Sequence, residues 1–412
     1  MKKALFLGYV WPELKTTAAG HRMMQLIQAF QEQQYQITFA STSQPTPYSH
    51  DLQALDIVTE PIALNDESFD TFIKTLAPDV VIFDRFMVEE QFGWRVAEYL
   101  PQAIRILNTE DLHSLRDARE KCLKETKKFS QTHWLHTEKT KREVASIYRS
   151  DLSLLVSTYE MDLLINHVNM HKSLLMHMPL FYEAVSEQTF KNWPSFDERQ
   201  DFIMVGNGKH APNVDAIKHL NKYIWPLIRK QLPSARIQCY GAYLPQQLKE
   251  LHKPKAGFIV KGWVEDLPGV MQHARVQLAP LRFGAGIKGK LLESMRNGLP
   301  FITTSIGVEG MCDEQDWSAS LADEPEAFAN KAVSLYQNQR SWTKIQLEGI
   351  AVLNRCFAKE RHSQRLFSVL ADIQSNPTAH RSQNFIGAMI QHQTMASTKY
   401  MAKWVEAKNR KK

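Results

Sequence analysis

VQLAPLRFGAGIKGKLLESMRNGLPFITTS, residues 276–305, is the stretch from which the fold is read. Val276–Leu281 reads as a buried strand, Lys288–Asn297 as a helix and Phe301–Thr304 as a second strand. Strand, helix and strand in close succession form a crossover between parallel neighbours of one sheet. The connection Arg282-Phe283-Gly284-Ala285-Gly286-Ile287-Lys288-Gly289 carries three glycines, which let the backbone turn tightly and approach a ligand. The helix after it presents unpaired N–H groups and the positive end of its dipole. Arg282, Lys288 and Lys290 add full positive charge, and the combination suits a diphosphate. The backbone of Gly284, Gly286 and Ile287 lines the cradle. Glu293, one turn into the helix, can accept hydrogen bonds from sugar or ribose hydroxyls. A loop that needs glycine only for packing would not also need three cations at one strand end.

The same alternation runs outward through the chain. Phe202–Gly206, Arg236–Gly241 and Phe258–Val260 read as strands, with helices at Asn213–Gln231, Leu244–His252 and Asp266–Ala274. Toward the N-terminus, Lys3–Gly8, Gln36–Ala40, Asp79–Phe83, Ala103–Leu107, Leu152–Val156 and Ser173–Met178 read as strands. Helices are expected at Gly20–Gln33, at Glu89–Leu100 and through a polar stretch from Ser114 to Tyr148. Asp79–Phe83 shows no alternation, so both of its faces should be buried. Ser157 and Glu160 are spaced as a capping box. The chain thus reads as α/β, two doubly wound domains in series with a helical C-terminal extension. The expected segments are residues 1–180, a linker 181–201 containing Pro194, a second domain 202–340, helices 341–374 and a basic amphipathic tail 375–412. Ligands of such sheets bind beyond the carboxyl ends of the strands, here in the cleft between the domains.

With 412 residues, 43% of them hydrophobic, the chain can bury two cores. Its net charge of +6 is uneven: beyond Ser375 seven basic residues stand against Glu406 alone, seven minus one, which is the whole excess. A near-neutral body speaks against a nucleic-acid partner. In the tail, Phe385, Ile386, Met389 and Ile390, then Met401, Trp404 and Val405, fall at helical spacing among lysines. Such a segment either lies on an anionic membrane surface or packs back on the N-terminal domain. No apolar run approaches the roughly 20 residues that cross a bilayer. Ala4–Val10 runs into Trp11-Pro12-Glu13 where a cleavage site would need small residues, so it reads as a strand and not as a signal peptide. Cys122, Cys239, Cys312 and Cys356 are far apart and read as free thiols in a reducing compartment. The expected location is cytoplasmic, with the tail as the means of peripheral contact with the inner membrane surface.

Other residues compete for a role. Gly284, Gly286 and Gly289 also fit the dinucleotide pattern GxGxxG, with Glu309 about 20 residues on. That pattern comes late in its domain and contains Lys288, which disfavours a dinucleotide. Gly20 can bring the N-terminus of the first long helix to the donor phosphates. His113 and Asp111 come after the strand Ala103–Leu107 on the cleft side. His113 can hydrogen-bond the donor sugar, and Asp111 can orient it or bind the acceptor; a capping Asp beside a surface His is the plain alternative. His167 and His171 stand four apart but lack a third ligand and a catalytic glutamate, so no metal site is expected. The absence of GxSxG speaks against one class of hydrolase.

On these residues the chain resembles the retaining glycosyltransferases of family 4. Gly284–Met295, succeeded by Gly298-Leu299-Pro300 and Thr303–Gly310, looks like the donor half of that family, and so do Pro280 and Leu281. Gly206, His210, Pro212, Asn213 and Asp215 look like the opening of the same half in one branch. Asn108–Arg119, with Asp111, His113, Arg116 and Arg119, is similar to an N-terminal segment of that branch. The likeness covers most of Met1–Gln339. It implies the GT-B fold, two Rossmann-like domains facing a cleft. It also implies a nucleotide-diphosphate sugar held by the C-terminal domain and a glycan or glycolipid acceptor held mainly by the N-terminal one. The resemblance further implies retention of configuration, with no metal and no cofactor beyond the nucleotide sugar as co-substrate; the absence of Asp-x-Asp agrees.

Two family glutamates eight residues apart contact the donor. Glu293 matches the second, and the first falls on Ala285, so backbone around Gly286–Lys288 would substitute. Asn207 and Lys209 stand where the family often has an arginine and a lysine, which leaves the diphosphate to Lys288, with Arg282 next. Glu309 closes the donor motif. Positive charge on the departing diphosphate lowers the barrier to an oxocarbenium-like centre, and the leaving phosphate can take the acceptor's proton. The expected activity is glycosyl transfer. The alternatives are a nucleotide-sugar epimerase of the same fold and, because of Ala285, a catalytically weakened sugar-nucleotide-binding or scaffold protein.

Overall fold

The structure is a computed structural model that describes residues 2–392 and Trp404. Its first sheet holds seven strands: β1 Lys3–Gly8, β2 Gln36–Ser41, β3 Val58–Pro61, β4 Val80–Asp84, β5 Ile104–Asn108, β6 Leu152–Leu155 and β7 Leu175–His177. They pair in parallel in the order β3-β2-β1-β4-β5-β6-β7. A second sheet holds β8 Gln200–Val205, β9 Ile237–Tyr240, β10 Phe258–Gly262, β11 Ala274–Ala279 and β12 Phe301–Thr303. Its order is β10-β9-β8-β11-β12, again all parallel. Two parallel sheets with helices on both faces are the α/β architecture expected from the alternation, and the helical C-terminal region is present. All five residues of β4 are buried, the apolar Val80–Phe83 as an unbroken run requires, and Asp84 with them.

The differences from the sequence reading have local causes. The edge strand β3 and the helix Ser68–Leu76 were not expected; β3 reads Val-Thr-Glu-Pro, too short and polar for a periodic signal. The polar stretch after Ser114 is three helices, His113–Lys124, Gln131–Leu135 and Glu138–Arg149. The helix beginning at Ala211 widens to a π turn at Leu220–Ile224, just before Pro226, which has no N–H to donate back. The capping box at Ser157 does not form: Ser157 makes no side-chain cap bond, and Glu160 is engaged elsewhere. The expectation of four free thiols is also corrected. Cys122 and Cys239 are free and buried, whereas Cys312 and Cys356 are joined in a disulfide.

The chain crosses between the sheets twice. The first crossing is Phe181–Arg199, with a short helix at Glu187–Lys191. The second comes after the helix Gln339–Cys356, and Lys359–Ser375 then returns to the first sheet. Leu366, Leu370 and Ile373 of that returning helix share an apolar cluster with Phe6, Ile27 and Phe30. The crossings are tied together: Tyr182 N–H donates to Phe357 O at 2.8 Å, and Lys359 N–H to Tyr182 O at 2.9 Å. The described part of the tail packs on the N-terminal domain. Arg381 pairs with buried Asp151 (2.7 and 2.8 Å), and Asn384 and Gln391 donate to the carbonyls of Tyr148 and Arg149. Phe385, Ile386 and Met389 remain exposed. Met401, Val405 and the lysines from Lys399 onward lie outside the described residues. Among the described residues no helix is long and apolar enough to cross a membrane.

Candidate active site between the two sheets

The loop Pro280–Lys288 leaves β11 at its carboxyl end and leads into the helix Gly289–Arg296. Its tip enters the N-terminal domain. Ala285 is buried in the apolar cluster that contains Leu112, Leu115 and Leu155. Gly286 has φ +62°, and a Cβ there would lie 2.8 Å from Cβ of Asp111 and 3.2 Å from Val156, so only glycine fits. Gly286 N–H donates to Glu160 Oε1 at 2.7 Å. Arg119 donates to Gly284 O at 2.8 Å and holds both oxygens of Glu309, at 2.7 and 2.8 Å. Across the rest of the cleft, Asn207 donates to Thr16 O at 3.1 Å and Tyr243 OH to Glu13 at 2.9 Å.

Two lysines lie just past the tip. Lys288 is buried, with Nζ on Gly286 O at 2.6 Å and Ala285 O at 3.3 Å. Lys290 Nζ donates to Asn213 Oδ1 at 2.6 Å. Both amines thus rest on neutral oxygens. Burial lowers both, Lys290 to about 7; for Lys288 the nearby Glu309 opposes the effect. An ammonium in that state gains strongly from an anionic ligand. Arg282 is placed differently, in a bidentate pair with Asp215. Glu293 faces Arg296 (3.2 Å) and His21 (3.5 Å). Burial would raise its carboxyl, but His21 and Arg296 outweigh burial and hold it low.

The N-terminal side answers with carboxylates. Asp111 pairs with Arg116 and lies 3.1 Å from His113 Nε2. Burial opposes ionisation of Asp111, yet Arg116 and His113 keep it well below the usual carboxylate range. Glu143 accepts the N–H groups of His113 and Ser114 at 2.9 and 3.0 Å, which fixes the start of that helix. His210, from the other domain, is pushed down to about 4 by burial and by Arg116, so it is neutral at pH 7. Gly20 does not offer its N–H to the cleft; Thr17 Oγ1 accepts it at 2.9 Å. A Cβ at Gly20 would lie 2.4 Å from Glu13 O, so close backbone approach explains this glycine. His167 and His171 are separated by the left-handed cap at Asn169 and do not share a helix face. Cys312, Asp313 and Asp316 lie within metal-ligand reach of one another, but the Cys312 sulfur is engaged in the disulfide.

A second polar cluster sits where β1 and β4 are neighbours. From there one strand connects toward β2 and the other toward β5, which opens a crevice. Asp84 accepts Tyr9 N–H at 3.1 Å, and the Arg85 guanidinium lies 5.1 Å from the centre of the Tyr9 ring. Arg85 and Glu110, at the ends of β4 and β5, have φ of +73° and +63°. Two non-glycine residues in that region mark stored strain. Arg22 Nη2, Asp84 Oδ1 and Arg85 Nε are buried without a hydrogen-bond partner among the described residues, the last two facing each other as an ion pair at 3.7 Å. Beside the crevice a cavity of about 420 Å³ is lined by Trp11, Ser41, Pro45, His50 and Pro61 among others.

The structure therefore brings Asp111, Lys288, Gly284, Gly286, Ile287 and Glu309 to one junction, with His113 paired to Asp111 there. Lys290 lies at the start of the donor helix and Glu293 one turn along it. Sequence reasoning missed Glu160 as a cleft residue, since its spacing from Ser157 resembled a helix cap. It also missed Arg22, Asp84, Arg85 and Glu110, charged residues that flank apolar strands or a helix face without forming a motif.

The site can now be set beside known proteins. Residues 199–338 match the family model described as Glycosyl transferases group 1. A relative described as an uncharacterized 44.6 kDa protein in the cps region of Klebsiella pneumoniae is 23% identical over 173 residues, 40% of this chain and 44% of that protein. The matched part thus spans less than half of that relative. Sucrose-phosphate synthase from Thermosynechococcus elongatus superposes with a TM-score of 0.69 at 13% identity, over 91% of this chain and 100% of that one. HepE of Anabaena, solved with UDP-glucose, gives 0.64 at 14% identity, over 90% and 100%. At these identities the likeness establishes the fold. The two-sheet architecture is similar to that of the GT-B glycosyltransferases, and the match to the group 1 glycosyl transferase model falls on the domain that carries the glycine–lysine loop.

Proposed function

We propose that the protein moves a sugar from a nucleoside-diphosphate donor to a glycan or glycolipid acceptor, with retention of configuration and without a metal or other cofactor. The observation that carries this reading is the pair Lys288 and Lys290, whose amines rest on neutral oxygens beside a helix N-terminus in the cleft. A diphosphate supplies the direct anionic contact that the two amines lack. Lys288 and the helix N–H groups then stabilise the charge that develops on the leaving phosphate. Glu293, kept ionised, takes ribose hydroxyls, and His113, oriented by Asp111, hydrogen-bonds the sugar. The leaving phosphate oxygen receives the acceptor's proton. The crevice between β1 and β4, with the Tyr9 ring, Arg85 and the adjoining cavity, accommodates the acceptor. A fold neighbour solved with UDP-glucose supports the donor class.

A thermal-shift screen of nucleoside diphosphates and their sugars tests the reading, and slow release of nucleoside diphosphate is then measured with the donor that binds. If no donor stabilises the protein, the reading fails. Conversion of one free nucleotide sugar into another, with no acceptor, identifies the epimerase alternative instead. The weakened-binder alternative arose from Ala285; its burial against Leu112 and Leu155 gives that alanine a packing role. Binding without turnover on any donor would restore it. The same reading puts the protein in the cytoplasm, touching the inner membrane surface through Phe385, Ile386 and Met389. Equal liposome flotation of the wild type and a triple serine variant at these positions removes the membrane contact.

A further inference from the structure

Glu160 is an acidic side chain that both domains share. It lies on the helix Thr158–Val168 of the N-terminal domain and is buried, 1% exposed. Its Oε1 does double duty, accepting Leu112 N–H at 2.9 Å from its own domain and Gly286 N–H at 2.7 Å from the donor loop. Its Oε2 is buried and has no hydrogen-bond partner among the described residues. A buried polar atom left without a partner costs its full desolvation, so one that persists calls for a use. Burial, with Asp111 nearby, pushes this carboxyl well above the usual range. The cationic group closest to it in effect is Lys288, the proposed diphosphate contact.

The surroundings restrict what can satisfy Oε2. Ala285, the residue preceding Gly286, offers no polar atom beyond its backbone and is buried among apolar side chains. Asp111 is already taken by Arg116 and His113, and Glu309 by Arg119. The donor loop therefore brings no carboxylate of its own to this end of the cleft. The opposite domain delivers one, hydrogen-bonded to the loop's tip.

We infer that Glu160 contacts the donor sugar, its Oε2 taking a sugar hydroxyl while its Oε1 holds the loop in place through Gly286 N–H. The inference rests on the nucleotide-sugar reading above and deepens it: the sugar is recognised by an N-terminal residue, whereas the diphosphate is held by the C-terminal domain. The hydroxyl fits either protonation state of the carboxyl, because it donates to an ionised oxygen and accepts from a protonated one.

The test separates the two halves of the donor. Calorimetry measures the affinity of the full chain for a nucleoside diphosphate and for the matching nucleotide sugar found in the screen, in wild type, Glu160→Gln and Glu160→Met. The expected result is that Glu160→Gln binds the diphosphate as wild type does, whereas Glu160→Met, which gives up both N–H contacts of Oε1, loses clearly less affinity for the diphosphate than for the nucleotide sugar. Glu160→Met binds the nucleotide sugar about tenfold more weakly than wild type, the value of one lost hydrogen bond. Glu160→Gln, which keeps an oxygen for the two N–H groups and a polar atom in place of Oε2, stays within about threefold of wild type. A Glu160→Met variant that keeps full sugar affinity overturns the inference. So does one that loses diphosphate and nucleotide sugar by the same factor, since that is the mark of a residue that only holds the loop. If Glu160→Met does not fold, a Glu160→Gln variant with more than tenfold loss for both ligands overturns it as well. Wild type that binds neither ligand removes the nucleotide-sugar reading itself, and this inference with it.

Discussion

β4 and β11 occupy equivalent places in their sheets: each pairs with the first strand of its domain on one side and with the next crossover strand on the other. The connections that leave them differ. After β4 a single residue, Arg85, separates strand from helix, and it is forced to φ +73°. After β11 the connection runs from Pro280 to Lys288, nine residues with two glycines, before its helix begins at Gly289. The short connection holds charged side chains rigidly at the crevice. The long one can extend its backbone across the cleft and carry N–H groups and ammonium groups to a ligand. On the proposed reading, one topology thus serves two kinds of recognition, by side chains in one domain and by backbone with lysines in the other. Loop length after the fourth strand decides which.

The contrast can be broken most directly at Lys288. Lys288→Ala should weaken nucleoside-diphosphate binding by about 2–3 kcal/mol, roughly thirty- to a hundredfold, because a charge-assisted contact is lost. Calorimetry reads the change, and unchanged affinity would remove this lysine from the site. Gly286→Ala strains a left-handed position and drives a Cβ toward Asp111. We expect a penalty of about 1–3 kcal/mol on docking of the loop tip, seen as reduced donor affinity with both sheets still folded by circular dichroism. Full donor affinity in that variant would show that the tip need not enter the N-terminal domain.

The lysines also predict a pH dependence. Lys290, lowered to about 7 in the empty cleft, is raised when a diphosphate binds, so binding takes up protons above neutrality. Affinity should be full below pH 7 and fall as the pH climbs above it, by at most about tenfold per unit. A flat profile between pH 6 and 9 would mean that Lys290 stays on Asn213. The smallest effect is expected at Arg282. Its guanidinium is already paired with Asp215, so Arg282→Ala should change diphosphate affinity less than about threefold. A loss as large as that of Lys288→Ala would return Arg282 to the cradle.

Much of the architecture was legible because parallel sheets are built from short apolar runs, such as Val80–Asp84, that read the same in sequence as in space. The loop Arg282–Lys290 was legible for another reason, since glycines and lysines at a strand end have few structural uses together. Glu160 was not, because a carboxylate one turn into a helix looks like a cap until the partner domain is placed opposite it. Neither was Arg85, whose strained backbone comes from the short connection and not from its residue type. Pairings across domains, such as Arg119 with Glu309, join residues 190 positions apart and leave no local pattern. The disulfide between Cys312 and Cys356 escaped for the same reason, with the two cysteines 44 residues apart and no motif between them.

The returning helix Lys359–Ser375 has a consequence for how the chain is made. Leu366, Leu370 and Ile373 complete an apolar cluster begun by Phe6, Ile27 and Phe30. During synthesis the strands β8 to β12 emerge and can close their own sheet while this cluster still lacks one wall. The domain that is translated first is therefore finished last, and until then part of its apolar surface stays open to other chains.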